Sequence, residues 1–193
     1  VVDPLNITNY NRTTNELEEL GLFWILAANQ RGVAAAKSLD EFLKTWCFSK
    51  KASPFSIVRR VAPVPGSFSN LAHELRSVGI RFYNGKAKGL QQLAHSGLDL
   101  KTCSVADLEE IHGIGPKTAR GFVLHSRPDV KLAVLDTHVL KYLRKLGHEA
   151  PKASPTGKKY RDLEQLFLAD AEAKKMTPAE LDLKVWREYA HGV

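Results

Sequence analysis

Two side chains in this sequence pair reactive types with suggestive surroundings. Lys117 closes the turn Gly113-Ile114-Gly115-Pro116, and Asp136 follows nineteen residues later in Val-Leu-Asp-Thr-His. A lysine amine that has shed its proton is a nucleophile, and a buried carboxylate stabilises positive charge developing opposite it. Each residue also has a plainer use. Lys117 at the head of a helix would neutralise a phosphate. Asp136, placed ahead of Val139, Leu140 and Leu143, would cap a helix by accepting first-turn amide protons.

The turn before Lys117 narrows the choice of ligand. Ser104 is placed to cap a short helix with Val105, Leu108 and Ile111 as its apolar positions. His112 to Gly115 must then reverse the chain, and a second helix starts at Pro116 with Ala119, Phe122 and Val123 facing inward. Glycines at 113 and 115 permit positive φ and the close approach of another backbone. The amides of Gly113, Gly115, Lys117 and Thr118 then face outward from a helix start, where aligned peptide dipoles favour an anion such as a DNA phosphate.

Helical periodicity runs through the rest of the chain, with no sustained alternation of period two. Leu17, Leu20, Trp24 and Ala28 recur at helical spacing behind a cap at Thr13 or Thr14. Ser38 with Glu41 reads as a capping box, Pro54 as a first-turn proline and Gly79 as a helix stop. Thr177, Pro178 and Glu180 mark the start of a closing helix, while residues 148–159 read as a loop rich in Pro, Ser, Gly and Lys. Val130 to Asp136 is apolar enough for a buried strand but has no second strand to pair with, so it is expected to be an extended connector.

Twenty-eight Lys and Arg against 21 Asp and Glu leave a formal charge of +7, which favours an anionic partner, nucleic acid first. Hydrophobic residues at 44% are enough for a packed core. No apolar run reaches a membrane span, and the opening residues lack signal-peptide order, so a soluble, intracellular, DNA-associated protein is expected. Only Cys47 and Cys103 occur, which argues against a disulfide framework or a cysteine metal site.

The pattern apolar-x-Gly-Ile-Gly-x-Lys-Thr-Ala resembles the helix-hairpin-helix element, and with Leu-Asp-Thr-His some twenty residues on it resembles the endonuclease III superfamily of DNA glycosylases. Ile-Leu-Ala-Ala-Asn-Gln at 25–30, Gly-Ile-Arg-Phe-Tyr-Asn-Gly-Lys from 79 and the segment from Thr177 are similar to that superfamily's duplex-probing loop, pre-hairpin helix start and closing helix. The resemblance implies an all-α, two-lobed fold: a bundle over 21–136 ending in the hairpin (about 104–126), and a second lobe from 1–20 with 137–193. The active-site cleft would lie between the lobes.

It further implies a monomeric enzyme of base excision repair acting on double-stranded DNA. Asp136 would stabilise an oxocarbenium-like sugar. Lys117 would attack C1′, form a Schiff base and cut the strand by β-elimination, its proton loss favoured by burial and by the positive end of its helix. Gly113, Gly115 and Thr118 would hold phosphate. Asn29 would plug the gap left by an extruded base, with Gln30 and Arg31 probing the orphaned partner. His138 would orient Asp136 or touch phosphate.

Asn84 would cap the pre-hairpin helix and bring Lys86 near the cleft; alternatively Tyr83, Lys86 and Lys88 would form a stacking patch for a single strand. Backbone carbonyls of Glu109, Ile111 and Ile114 match those that hold a monovalent cation in related hairpins. The four cysteines of the superfamily's iron–sulfur cluster are missing, so no cluster is expected; the chain is either a cluster-free branch or stops short of that segment. An oxidised base is the expected substrate class, pyrimidines ahead of 8-oxoguanine. An 8-oxoguanine or mismatch-specific enzyme and a non-catalytic DNA-binding module stand as alternatives.

Overall fold

The computed structural model describes residues 2–47, 49 and 51–191, the last two by backbone only. Ten α-helices and no strand occur among the described residues, as the periodicity predicts. None of these helices is long and apolar enough to cross a membrane.

The chain divides into two compact units, one made of the described residues of Val1–Ile7 and Asn11–Gly115, the other of those of Thr8–Tyr10 and Pro116–Val193. The division falls inside the glycine turn and not at residue 136. Pro116–Ser126 packs against the closing helix, and thus joins the C-terminal unit instead of ending the first one.

In the first unit, α1 (Thr14–Ala27), α2 (Gly32–Trp46), α3 (Pro54–Val61), α4 (Ser69–Ser77) and α5 (Tyr83–His95) pack on one another, and α6 (Val105–Glu109) leads into the turn. Local chemistry sets most of their ends. Thr13 and Glu16 form a capping box on α1, Ser53 caps α3 ahead of Pro54, and Ser104 with Asp107 boxes α6. Gly79, at φ 80°, follows α4 while Ile80 donates back to the Leu75 carbonyl.

Two predicted starts are corrected. Ser38 lies in the middle of α2, which begins at Gly32; its hydroxyl donates to the Val78 carbonyl at 2.7 Å, so the Ser38–Glu41 pattern makes no cap. Asn84 lies within α5, whose preceding residue is Phe82 in the left-handed region.

Helix α5 sets the height of the turn. Gln92 accepts from the His112 amide at 2.8 Å and donates to the Glu110 carbonyl at 3.1 Å. Gly89 lies directly beneath: a Cβ there would come within 2.3 Å of the His112 carbonyl oxygen, so only glycine admits this approach.

The second unit contains α7 (Pro116–Ser126), α8 (Thr137–Lys145), α9 (Gly157–Ala173) and α10 (Pro178–His191), with α10 packed on the other three. Its core gathers Leu135, Leu140, Leu143, Tyr160, Phe167, Leu181 and Val185. Residues 130–136 form the expected extended connector.

Gly89→Ala should destabilise the protein by about 1–3 kcal/mol, the usual cost of forcing extra volume into a packed contact. Urea unfolding measures this, and an unchanged midpoint would contradict the close approach.

Candidate active site

Asp136 stands where a buried connector becomes a helix. Ala133, Val134 and Leu135 are buried, and a lone extended segment in a core must find partners for its backbone polar groups. Helix α9 supplies them. Glu164 accepts from the Ala133 amide at 2.9 Å; the Tyr160 hydroxyl accepts from the Leu135 amide at 3.1 Å and donates to the Ala133 carbonyl at 2.7 Å. Tyr160 and Glu164 are four residues apart, on one face of the helix. Burial pushes the Tyr160 pKa well above the ordinary value, so its hydroxyl remains a donor.

Asp136 then caps α8. One oxygen, Oδ1, accepts from the amides of His138 and Val139, both at 2.9 Å, so Oδ2 takes no part in the cap. Burial raises the carboxyl pKa first, and the buried Asp182 of α10 raises it further; the Val139 amide, His138 and Lys117 pull it back. Asp182 also accepts from His125 Nε2 at 3.1 Å, while His125 Nδ1 is 2.8 Å from the Thr8 hydroxyl.

Lys117 occupies the first turn of α7, half-buried, in the same unit as Asp136 and close enough for its charge to act on that carboxylate. Among the described residues no carboxylate pairs with its ammonium at ion-pair distance. The structure therefore brings together Lys117, Asp136 and His138. Asp182, Tyr160, Glu164 and Arg120 join them; no local pattern marks those four, because each reaches its partner across tens of residues.

The turn distinguishes its two glycines. Gly113 has φ 82°, where a side chain is strained, whereas Gly115 has neither a positive φ nor an atom within 4 Å of an added Cβ. Gly115 thus leaves open space at the start of α7. Thr118 is buried, so its side chain is withdrawn from the surface and the expected phosphate contact falls to its backbone amide alone. The side chains of Ile111 and Ile114 are buried and that of Glu109 is exposed, while the Ile111 carbonyl accepts from the Ile114 amide at 3.0 Å.

The remaining expected contacts lie in the first unit. Asn29 and Arg31 are exposed and Gln30 half-buried. Lys86 departs from its expected role as a cation facing DNA. It is only 7% exposed, and its ammonium donates to the Leu26 carbonyl at 2.7 Å and to Gln30 Oε1 at 3.4 Å, capping the C-terminal end of α1. Burial, then repulsion from Arg81, lowers its pKa to about 8.

Gln30 Oε1 also accepts from the Arg81 amide at 3.1 Å, which ties residues 29–31 to the start of α5. Phe82, absent from the sequence expectations, is 62% exposed and, like Asn29, has φ 55°. Tyr83 instead lies against the Arg76 guanidinium at 5.6 Å and is half-buried, so the single-strand patch loses its aromatic member.

Comparison with known proteins adds the following. Residues 55–176 match the family described as 8-oxoguanine DNA glycosylase. A Methanocaldococcus jannaschii protein named 8-oxoguanine DNA glycosylase/AP lyase is 27% identical over 169 residues, 78% of this chain and 81% of that one. The crystal structure of the 8-oxoguanine DNA glycosylase of Thermotoga maritima superposes with a TM-score of 0.67 at 26% identity, covering 91% of this chain and 80% of the other. The M. jannaschii 8-oxoguanine glycosylase/lyase in complex with a 15mer DNA containing 8-oxoguanine shares the fold: TM-score 0.70, 21% identity, 93% of this chain and 83% of that one.

A raised carboxyl pKa has a stability consequence of definite sign. The folded state prefers Asp136 protonated, so its contribution is most favourable below the ordinary aspartate range and is lost as pH rises through the raised value. Asparagine caps helices as well as aspartate and cannot ionise. Asp136→Asn should therefore raise the melting temperature at pH 7–8, the gain vanishing near pH 4. A lower melting temperature at pH 7 would show that the charge is not a burden to the fold.

Proposed function

The chain belongs to the 8-oxoguanine DNA glycosylase family, and from that membership we propose that it excises 8-oxoguanine from double-stranded DNA and cleaves the strand at the resulting site. What supports this reading is that, within one compact unit, Lys117 in the first turn of α7 has no ion-pair partner among the described residues and is close enough for its charge to act on the half-buried Asp136 carboxylate at the head of α8. This substrate replaces the oxidised pyrimidine favoured from the sequence, in which no lesion-pocket residue is identifiable.

In this reading the neutral Lys117 amine attacks C1′ of the extruded nucleotide as the glycosidic bond breaks, and the base leaves with the electron pair. Asp136, through the oxygen outside its cap, stabilises the positive charge that the sugar carries in the transition state. Ring opening leaves an imine between Lys117 and C1′. Loss of a C2′ proton then expels the 3′ phosphate. The Asp136 carboxylate must be ionised to do its part, so its raised pKa places the acid limb of activity above the ordinary aspartate range.

The amides around Gly115 would hold a phosphate of the same strand. Asn29 and Phe82, both held in the left-handed region, would fill the space left by the extruded base. A monovalent cation on the carbonyls of Glu109, Ile111 and Ile114 would suit this phosphate, since the Ile111 oxygen retains a second lone pair. Replacing K⁺ by tetramethylammonium at constant ionic strength would then weaken DNA binding. With only Cys47 and Cys103, this chain lacks a four-cysteine set for a cluster.

Borohydride trapping on a duplex with an abasic site tests the chemistry. Wild-type protein should crosslink and Lys117→Gln should not; a wild type that binds but never crosslinks would be a DNA-binding module without lyase chemistry. Gly115→Ala should leave stability within about 0.5 kcal/mol of wild type while weakening duplex affinity roughly tenfold, about 1.4 kcal/mol. Phe82→Ala should slow extrusion at unchanged stability. Wild-type affinity for Gly115→Ala would remove the phosphate from the turn.

A further inference from the structure

Arg120 lies one turn beyond Lys117 on α7 and makes contacts of three kinds within the second unit. Its Nε donates to Glu164 Oε1 at 3.0 Å, its Nη1 donates to the Pro116 carbonyl at 3.3 Å, and its guanidinium stacks over the Tyr160 ring at 4.5 Å. Glu164 and Tyr160 are the two side chains that hold the backbone of residues 133–135. A single guanidinium therefore touches the peptide immediately before Lys117 and both side chains that fix the approach to Asp136.

Stability alone is a poor reason for such a pair. Burying a guanidinium and a carboxylate costs desolvation that their attraction only partly returns, and apolar side chains of similar volume pack as well or better. A planar fork stacked on a ring offers something apolar packing lacks: fixed directions in space. Both elements of this site depend on direction, because in the proposed reaction an amine and a carboxylate must converge on one sugar carbon to within a fraction of an ångström.

We infer that Arg120, Glu164 and Tyr160 are positioning residues that hold the first turn of α7 and the residues leading into Asp136 in the relative geometry required for base excision. The inference rests on the assignment of Lys117 and Asp136 above. The three side chains touch no substrate and act through the backbone: Arg120 through the Pro116 carbonyl, Glu164 through the Ala133 amide, and Tyr160 through the Ala133 carbonyl and Leu135 amide. Tyr160 has the cleanest variant, because phenylalanine keeps the ring under Arg120 and removes only the hydroxyl.

Single-turnover release of 8-oxoguanine from a duplex separates this role from a merely structural one. A loss of folded molecules lowers the amplitude of the burst and the fraction trapped by borohydride; a misplaced carboxylate lowers the rate constant. Tyr160→Phe should reduce the rate constant about 10- to 100-fold, with the trapped fraction and the affinity for a duplex carrying a tetrahydrofuran abasic analogue unchanged. Arg120→Lys, which retains charge but not the fork, should behave alike, and it decides the matter if Tyr160→Phe does not fold.

In an Asp136→Asn background, Tyr160→Phe should cost less than it does in wild type, because the group it aims is gone. A wild-type rate constant in a folded variant, or a loss confined to amplitude, overturns the inference. Crosslinking by Lys117→Gln would instead overturn the underlying mechanism. An inert Lys117→Gln beside a fully active Tyr160→Phe removes the positioning role alone.

Discussion

The peptide groups of residues 133–135 impose the constraint around which the second unit is built. They are buried and extended, and no strand among the described residues pairs with them, so their polar atoms would carry a penalty of about 1–3 kcal/mol each if left unmatched. Tyr160 and Glu164 remove it for the Ala133 amide and carbonyl and the Leu135 amide, and the Asp136 amide donates to the Val134 carbonyl. The solution links parts of the chain far apart in sequence: α9 holds the connector, Arg120 ties α9 to α7, and the connector ends on the aspartate that caps α8. Lys117 rides on the same α7. The contacts that satisfy this connector therefore also join the helix that carries Lys117 to the residues leading into Asp136.

The first unit uses the same economy at a different place. Lys86 supplies a cation to the Leu26 carbonyl at the end of α1, and Gln30 joins that cation to the start of α5. Asn29 and Phe82, each next in sequence to one of these contacts, both have φ 55°, a conformation that asparagine enters readily and phenylalanine does not. Gly89 under His112 shows a third version, in which a missing Cβ lets one helix support the turn directly.

Features written in adjacent residues were legible in the sequence. Thr13, Ser104 and Thr177 cap because each is followed by the right first turn, Pro54 opens its helix, and Asp136 is an N-cap for the same reason. Lys117 was visible through its glycine turn. Ser38 shows the limit of such matching: its spacing to Glu41 satisfies the capping rule, but Val78, forty residues away, takes its hydroxyl. Lys86 illustrates the same failure for charge, since nothing next to it announces that the Leu26 carbonyl lies within reach. The Arg120–Glu164 pair and the contacts of Tyr160 and Glu164 with the connector are illegible because each spans from 25 to 44 residues, and a lone Tyr or Glu on a helix carries no mark of its partner.

The ionic character of the link between α7 and α9 also governs how it responds to heat. Hydration of charged groups becomes less favourable on warming, so the penalty for keeping Arg120 and Glu164 out of water shrinks as temperature rises, whereas apolar burial per unit area levels off. The geometry around Lys117 and Asp136 is accordingly anchored by an interaction that holds its strength relative to the surrounding core as the protein approaches its melting point.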